Sequence, residues 1–93
     1  MGGPSTDDVL TPCERAVEAM RPSISAELLR VVRAYGDGSA GWGVAIGVLI
    51  DELVEEEIRP SREQARLLFE ALASVGQGEG DRADDLRDLG ELP

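Results

Sequence analysis

Apolar residues recur at helical spacing along most of the chain between residues 11 and 76. The first apolar stripe has the spacing i, i+3, i+4, i+7, which is one face of an α-helix, and consists of Cys13, Ala16, Val17 and Met20. Later segments repeat this period, and no segment alternates apolar and polar residues as a half-buried strand would. The pattern predicts an all-α protein, a small bundle of four to five short helices.

Capping residues and breakers set the bounds of the first two predicted helices. A capping box that starts at Thr11 begins the first helix, and Pro22 ends it. Ser25 caps a second helix that ends at Tyr35, before a turn at 36–39. The pattern assigns one side of this second helix to the core, namely Leu28, Leu29, Val31, Val32 and Tyr35.

The central segment, GWGVAIGVLIDELVEEEI at 41–58, begins apolar and ends acidic. As a helix over 42–58 it places on one side Trp42, Ile46, Leu49, Ile50 and Leu53, which we expect in the core. Gly43 and Gly47 lie inside this helix, where glycine costs up to ~1 kcal/mol relative to alanine. Two such glycines predict that a neighbouring backbone packs closely against the helix.

The remaining segments complete the predicted domain organisation. A capping box at Ser61 begins a further helix that ends at Val75, before Gly76. We expect a flexible N-terminal arm at 1–10 and a helical domain at 11–76. Residues 77–93 are predicted to form a flexible link and a short acidic C-terminal helix.

The composition argues against several classes of function. The chain has no histidine and no lysine, so the usual general base and transition-metal ligand and the lysine of a phosphate-binding loop are all missing. The glycines at 41, 43 and 47 are one residue too widely spaced for a dinucleotide-binding fingerprint. We therefore expect no enzymatic activity, no cofactor and no metal. With one cysteine, no export signal and no apolar run of ~18 residues, a cytoplasmic protein is predicted.

The acidic charge is concentrated in two segments. The net charge is -10, and residues 36–60 carry six acids and one base. Residues 76–93 carry six acids and two bases. Such a chain repels nucleic acid and anionic membranes and attracts basic protein surfaces, although the same charge could serve only to keep a small protein soluble.

One stripe of the central helix combines apolar and acidic residues at i, i+4, i+7 and i+11, namely Val44, Val48, Asp51 and Glu55. Either the first two turns of the helix are covered all round, or the stripe is a mixed binding surface. The acids oppose the helix dipole, and like charges four residues apart repel, so local stability does not explain them. The candidate partner-binding residues are Asp37, Val44, Val48, Asp51, Glu52, Glu55 and Glu56.

The central segment also resembles a known family. The residues Gly41-Trp42-Gly43-Val44-Ala45, followed by Leu49, Leu53, Glu56, Ile58 and Pro60-Ser61, are similar to the MafI-like immunity proteins of bacterial polymorphic-toxin systems. The similarity covers roughly residues 24–76. It implies a cytosolic helical protein that binds and neutralises a cognate toxin domain, often a nuclease.

The expected function is therefore an immunity protein whose partner is a toxin catalytic domain with a basic surface. One alternative is a helical scaffolding or regulatory domain that associates through its helix faces. A carrier protein is the other, but its attachment serine normally stands in Asp-Ser-Leu, and Ser39 and Ser61 lack that context. We expect neither nucleic acid nor membrane as a partner.

Overall fold

The computed structural model describes residues 10–90, so the predicted arm lies outside it except for Leu10. The described part contains five α-helices, one 3-10 turn and no strand, which confirms the predicted all-α bundle. The helices are α1 (Pro12–Met20), α2 (Ala26–Asp37), α3 (Trp42–Glu55), α4 (Arg62–Ser74) and α5 (Asp81–Gly90), with the 3-10 turn at Arg21–Ser23.

Side chains satisfy the free backbone N–H groups where α1 and α4 begin. Thr11 and Glu14 form a capping box on α1, and Ser61 and Gln64 form one on α4, as predicted. The Ser61 hydroxyl accepts a hydrogen bond from the backbone N–H of Gln64 at 3.1 Å. Gln64 also donates from Nε2 to the backbone oxygen of Ala19 at 2.8 Å, so the same residue ties α4 to the end of α1.

The ends of α3 and α4 share one capping geometry. Beyond α4, Gly76 has φ +77, and the N–H of Gln77 reaches the carbonyl of Leu72 at 2.8 Å, as in a Schellman motif. Beyond α3, Glu57 has φ 55, and the N–H of Ile58 reaches the carbonyl of Leu53 at 2.9 Å. The predicted end of this helix at residue 58 is wrong, because Glu57 adopts a left-handed conformation that usually requires glycine.

The helices pack around α3 into one core. α1 packs on α4 and α2 packs on α3, while α5 contacts both α3 and α4. α5 adds Ala83, Leu86 and Leu89 to this core. The other buried apolar residues are Cys13, Ala16, Val17, Met20, Val32, Ala45, Ile46, Leu49, Ile50, Leu53, Leu68, Ala71 and Leu72.

The apolar side of α2 is less buried than its pattern predicts. Only Val32 is fully buried, and Val31 and Tyr35 are exposed by 39% and 41%. The prediction that both lie in the core is wrong, because within residues 10–90 α2 packs mainly against α3 and both side chains stay open to solvent. The side of α2 next to α3 therefore leaves apolar side chains in contact with solvent.

A close contact fixes α2 against the beginning of α3. The indole ring of Trp42 lies against Gly36, where a Cβ would be only 2.6 Å from three ring atoms. Trp42 is half-buried and packs against the core, as its position in the apolar pattern predicts. This contact sets where α3 begins relative to α2.

Candidate functional site

One side of α3 remains open to solvent. We call it the α3 stripe and define it as Val44, Val48, Asp51 and Glu55. Val44 is 47% exposed, Val48 is half-buried, and both acids are exposed. The interpretation in which the first two turns of α3 are covered all round is therefore wrong at Val44.

A shallow depression lies between the α3 stripe and α2. Its apolar floor comes from Val48 of α3 together with Leu28 and Val31 of α2. Its border is polar and consists of Ser25, Glu27 and Glu52. An apolar centre with an acidic edge is therefore formed by two helices, not by α3 alone.

A second depression lies on the other side of the stripe. Val44 and Val48 contribute its apolar part, and Gln77 and Arg82 contribute its polar part. The remaining lining residues are Ala40 and Gly43. Because Val48 lines both depressions, it lies at the centre of the combined surface.

The two glycines of α3 face side chains from the last part of the chain. A Cβ on Gly43 would lie 3.4 Å from Nε2 of Gln77, and one on Gly47 would lie 2.6 Å from Nε of Arg82. The prediction that a neighbouring backbone packs against them is wrong. What Gly47 accommodates is a guanidinium group.

Arg82 also pairs with the first acid of the stripe. Its Nη2 donates to Oδ2 of Asp51 at 3.0 Å, and both side chains are partly exposed. The sequence-based expectation treated Asp51 as a charge kept for a partner. The structure shows instead that Asp51 already has a cation from α5 beside it.

The other predicted site residues are spread along the molecule. Glu52 is half-buried on the α2 side, while Glu55 and Glu56 are exposed at the end of α3. Asp37 is the last residue of α2, not part of a turn, and it is exposed. It precedes the start of α3, whereas Glu55 and Glu56 lie at the other end, roughly 20 Å away along the 14-residue helix. The structure therefore does not bring Asp37 together with these two acids.

The sequence pattern missed the contribution of α2. Val31 was predicted to lie in the core, and Glu27 was not among the candidate partner-binding residues, yet both line the depression that contains Val48. The available signal was their spacing: they stand four residues apart, where the apolar and polar sides of α2 meet. Their exposure depends on which edge of α2 is left uncovered.

The acidic C-terminal helix lies beside the other flank of α3. Val54, 38% exposed, lines a small depression with Leu89 and with two acids of α5, Asp85 and Asp88. Its volume is about 180 Å³, which is below the ~300–1,000 Å³ typical of small-molecule pockets. Two acids of α5 thus lie beside α3 on the side that carries Val54.

Cys13 lies in the packed contact between α1 and α4. Its Sγ is 3.6 Å from Oγ of Ser74, and burial raises the pKa of the thiol. Within residues 10–90, no three histidine, cysteine, aspartate or glutamate side chains are grouped so that they could hold a metal ion. None of the helices in that range is long and apolar enough to cross a membrane.

Neither a protein-family model nor a curated protein nor a solved structure matches this chain. The two depressions, the exposed valines and the placement of the acids are the features that a function has to explain.

Proposed function

We propose that this chain is a cytoplasmic, non-enzymatic immunity protein that binds the catalytic domain of a cognate bacterial toxin and covers a basic surface of it. The observation that supports this proposal is the open α3 stripe, in which exposed Val44 and half-buried Val48 lead into exposed acids. An apolar part that can exclude water and an acidic part that can attract a cation therefore lie side by side on one helix.

The charge of the chain favours a nuclease as the toxin. A nuclease must present a basic groove to the phosphates of its substrate. A chain with net charge -10 is attracted to such a groove, and electrostatic steering can raise association rates to roughly 10⁸–10⁹ M⁻¹s⁻¹ at low salt. Glu27 and Glu52 line the same depression as Val48, so two acids lie beside the part of the surface that would be desolvated.

The motif behind the family resemblance forms the beginning of α3. Gly41 is the N-cap, with φ +88, a conformation that favours glycine. Trp42 then packs on Gly36, and Val44 is the first exposed residue of the stripe. In this chain the motif similar to the MafI-like immunity proteins thus begins the helix that carries the proposed binding surface.

A helical scaffolding domain is the second candidate, because Val31 and Tyr35 add exposed apolar area next to the stripe. Association of identical copies would bring two strongly negative chains together, which opposes it. Sedimentation of the isolated protein separates the two candidates. A stable dimer would favour the scaffold, and a monomer that binds the toxin domain would favour immunity.

The deciding experiment is protection of bacteria that express the catalytic domain of a toxin encoded beside this gene. We expect the wild type to restore growth and Val44→Arg to abolish protection, since a bulky charge would enter the part of the contact from which water is excluded. Val54→Arg is the matched control, because Val54 lies on the same helix with similar exposure (38% against 47%) but outside the stripe.

Circular dichroism of both variants should show unchanged helix content. If Val44→Arg protects as well as the wild type, the α3 stripe is not the binding surface. If only Val54→Arg loses protection, the surface is the depression that contains Asp85 and Asp88.

A further inference from the structure

Arg82 of α5 places a positive charge beside the α3 stripe, in a chain that is strongly acidic. Its side chain occupies the space that a Cβ on Gly47 would need, 2.6 Å from Nε and 2.8 Å from Cζ. Glycine inside a helix costs up to ~1 kcal/mol relative to alanine. Gly47 thus weakens α3 locally but leaves room for the guanidinium.

The hydrogen bonds that Arg82 makes within the protein do not explain why its side chain lies against Gly47. A guanidinium has five N–H donors, and Nη2 uses one of them on Asp51 at 3.0 Å. Nε is buried and has no acceptor among residues 10–90. A buried N–H without a partner opposes folding, so the Nε–H itself gives no reason, in terms of stability, for this position of Arg82.

The surroundings of Arg82 supply a reason of another kind. It lines the same depression as Val44, Val48 and Gln77. Arginine is enriched among the residues that dominate binding energy at interfaces, and these lie in well-packed positions from which water is excluded. At the centre of the proposed interface, a guanidinium would therefore stand directly beside the two valines.

We infer that Arg82 determines the partner specificity of the α3 stripe. It holds the Asp51 carboxylate from one side and offers further N–H groups to a hydrogen-bond acceptor of the toxin domain, a carboxylate or a backbone carbonyl. This inference rests on the proposed function and names one feature of the partner. The partner surface is basic overall but presents one acceptor beside an apolar patch, opposite Val44 and Val48.

A uniformly basic surface would not satisfy this arrangement. It could pair with Glu55 and Glu52, but it would place a cation against Arg82, which is a repulsive contact. Arg82 thus rejects basic partners that lack the acceptor, and the acids alone could not make that distinction.

The geometry can be tested without any partner, by hydrogen exchange of the arginine Nε–H groups measured by NMR. In the wild type we expect the Nε–H of Arg82 to exchange at least about tenfold more slowly than that of Arg87, because it is buried. Gly47→Ala should remove this protection, because the new Cβ displaces the guanidinium. If Arg82 exchanges as fast as Arg87 in the wild type, the inference is wrong whatever the protein binds.

The binding role is tested by the affinity of the toxin domain for three variants. Arg82→Gln removes the charge, and Gly47→Ala keeps the arginine but displaces it. We expect both to bind about ten- to a hundredfold more weakly, the range for loss of a charged hydrogen bond. Arg87→Gln is the matched control, since Arg87 is also on α5 and also pairs with an acid, Asp84, and it should bind within about twofold of the wild type.

Thermal unfolding of the same variants distinguishes a binding role from a structural one. Gly47→Ala should be at least as stable as the wild type, because alanine favours the helix and the displaced side chain is flexible, yet it should bind more weakly. If Arg82→Gln and Gly47→Ala both bind as tightly as the wild type, this inference fails while the proposed function stands. If the wild type does not bind the toxin domain, the proposed function fails and this inference fails with it.

Discussion

The α1–α4 pair and the α2–α3 pair use their apolar residues in different ways. Where α1 meets α4 the apolar side chains are buried, and they include Cys13, Ala16, Val17, Met20, Leu68, Ala71 and Leu72. In contrast, the exposed large apolar residues of the described chain all lie on α2 and α3, namely Val31, Tyr35, Val44 and Val54. Both capping boxes belong to the α1–α4 pair, and α3 has no side-chain cap. The difference in exposure lies in how completely each pair is covered.

The buried and the exposed apolar side chains serve different purposes, stability of the fold and binding of a partner. Full burial of a valine or leucine contributes ~1.5–3 kcal/mol, whereas an exposed one contributes much less. The α1–α4 pair therefore stabilises the fold. The α2–α3 pair also has a buried part, with Val32 and most of the apolar side of α3 in the core. Its exposed apolar side chains contribute little to stability but provide a surface for a partner.

The largest expected effect compares one substitution at two valines. Val17→Ala, in α1, should lower the free energy of unfolding by about 2–3 kcal/mol, because it removes buried methyl groups and leaves a cavity. Val31→Ala, in α2, should lower it by less than about 1 kcal/mol, because that side chain is 39% exposed. Urea unfolding measures both values, and equal losses would remove the contrast between the two pairs.

The second prediction tests how α2 is held to α3. Gly36→Ala should destabilise the protein by ~1–3 kcal/mol, since the new Cβ would meet the Trp42 ring at 2.6 Å and force it to move. Tryptophan fluorescence should shift at the same time, because the ring leaves its half-buried site. Gly90→Ala is the control, as no atom of residues 10–90 lies within 4 Å of a Cβ there. If the unfolding midpoint of Gly36→Ala equals that of the wild type, the contact between Gly36 and Trp42 does not hold α2 against α3.

The third prediction concerns the hydrogen bond that joins α4 to the end of α1, from Gln64 to the carbonyl of Ala19. Gln64→Ala should lower the free energy of unfolding by about 1–2 kcal/mol, because it removes half of the α4 capping box and the hydrogen bond to Ala19. Gln64→Glu keeps an oxygen for the cap but loses the Nε2 donor, so it should cost less than Gln64→Ala. Thermal unfolding compares the two variants. If they lose the same stability, the hydrogen bond from Gln64 to Ala19 of α1, and not the cap, accounts for the whole loss.

The smallest expected effect is a gain at the end of α3. Glu57→Gly should stabilise the protein by about 0.5–1 kcal/mol, because Glu57 has φ 55 at a position where glycine is not strained. Protection against the toxin should not change, since Glu57 lies outside the α3 stripe. Glu56→Gly is the comparison variant: φ at residue 56 is -89, so glycine gains nothing there and should destabilise the helix end. A loss of stability in Glu57→Gly would contradict the strain at this residue.

Predictions that depend on near neighbours in sequence agree well with the structure. The capping boxes at Thr11 and Ser61 need only residues three positions apart, and both are present. The end of α3 could not be predicted in this way, because a glutamate at the left-handed position carries no sequence signal. The glycines of α3 showed that something packs closely there, but not that it is the side chains of Gln77 and Arg82.

By itself, the sequence determined the all-α class, the bounds of most helices and the mixed composition of the α3 stripe, because helical periodicity and capping act over a few residues. Only the tertiary structure decided that Val31 and Tyr35 remain exposed, that Glu27 and Val48 line one depression, and that Arg82 lies over Gly47. The ion pair between Asp51 and Arg82 joins residues 31 positions apart. Such a contact depends on how α5 packs against α3, and no local period in the sequence encodes that packing.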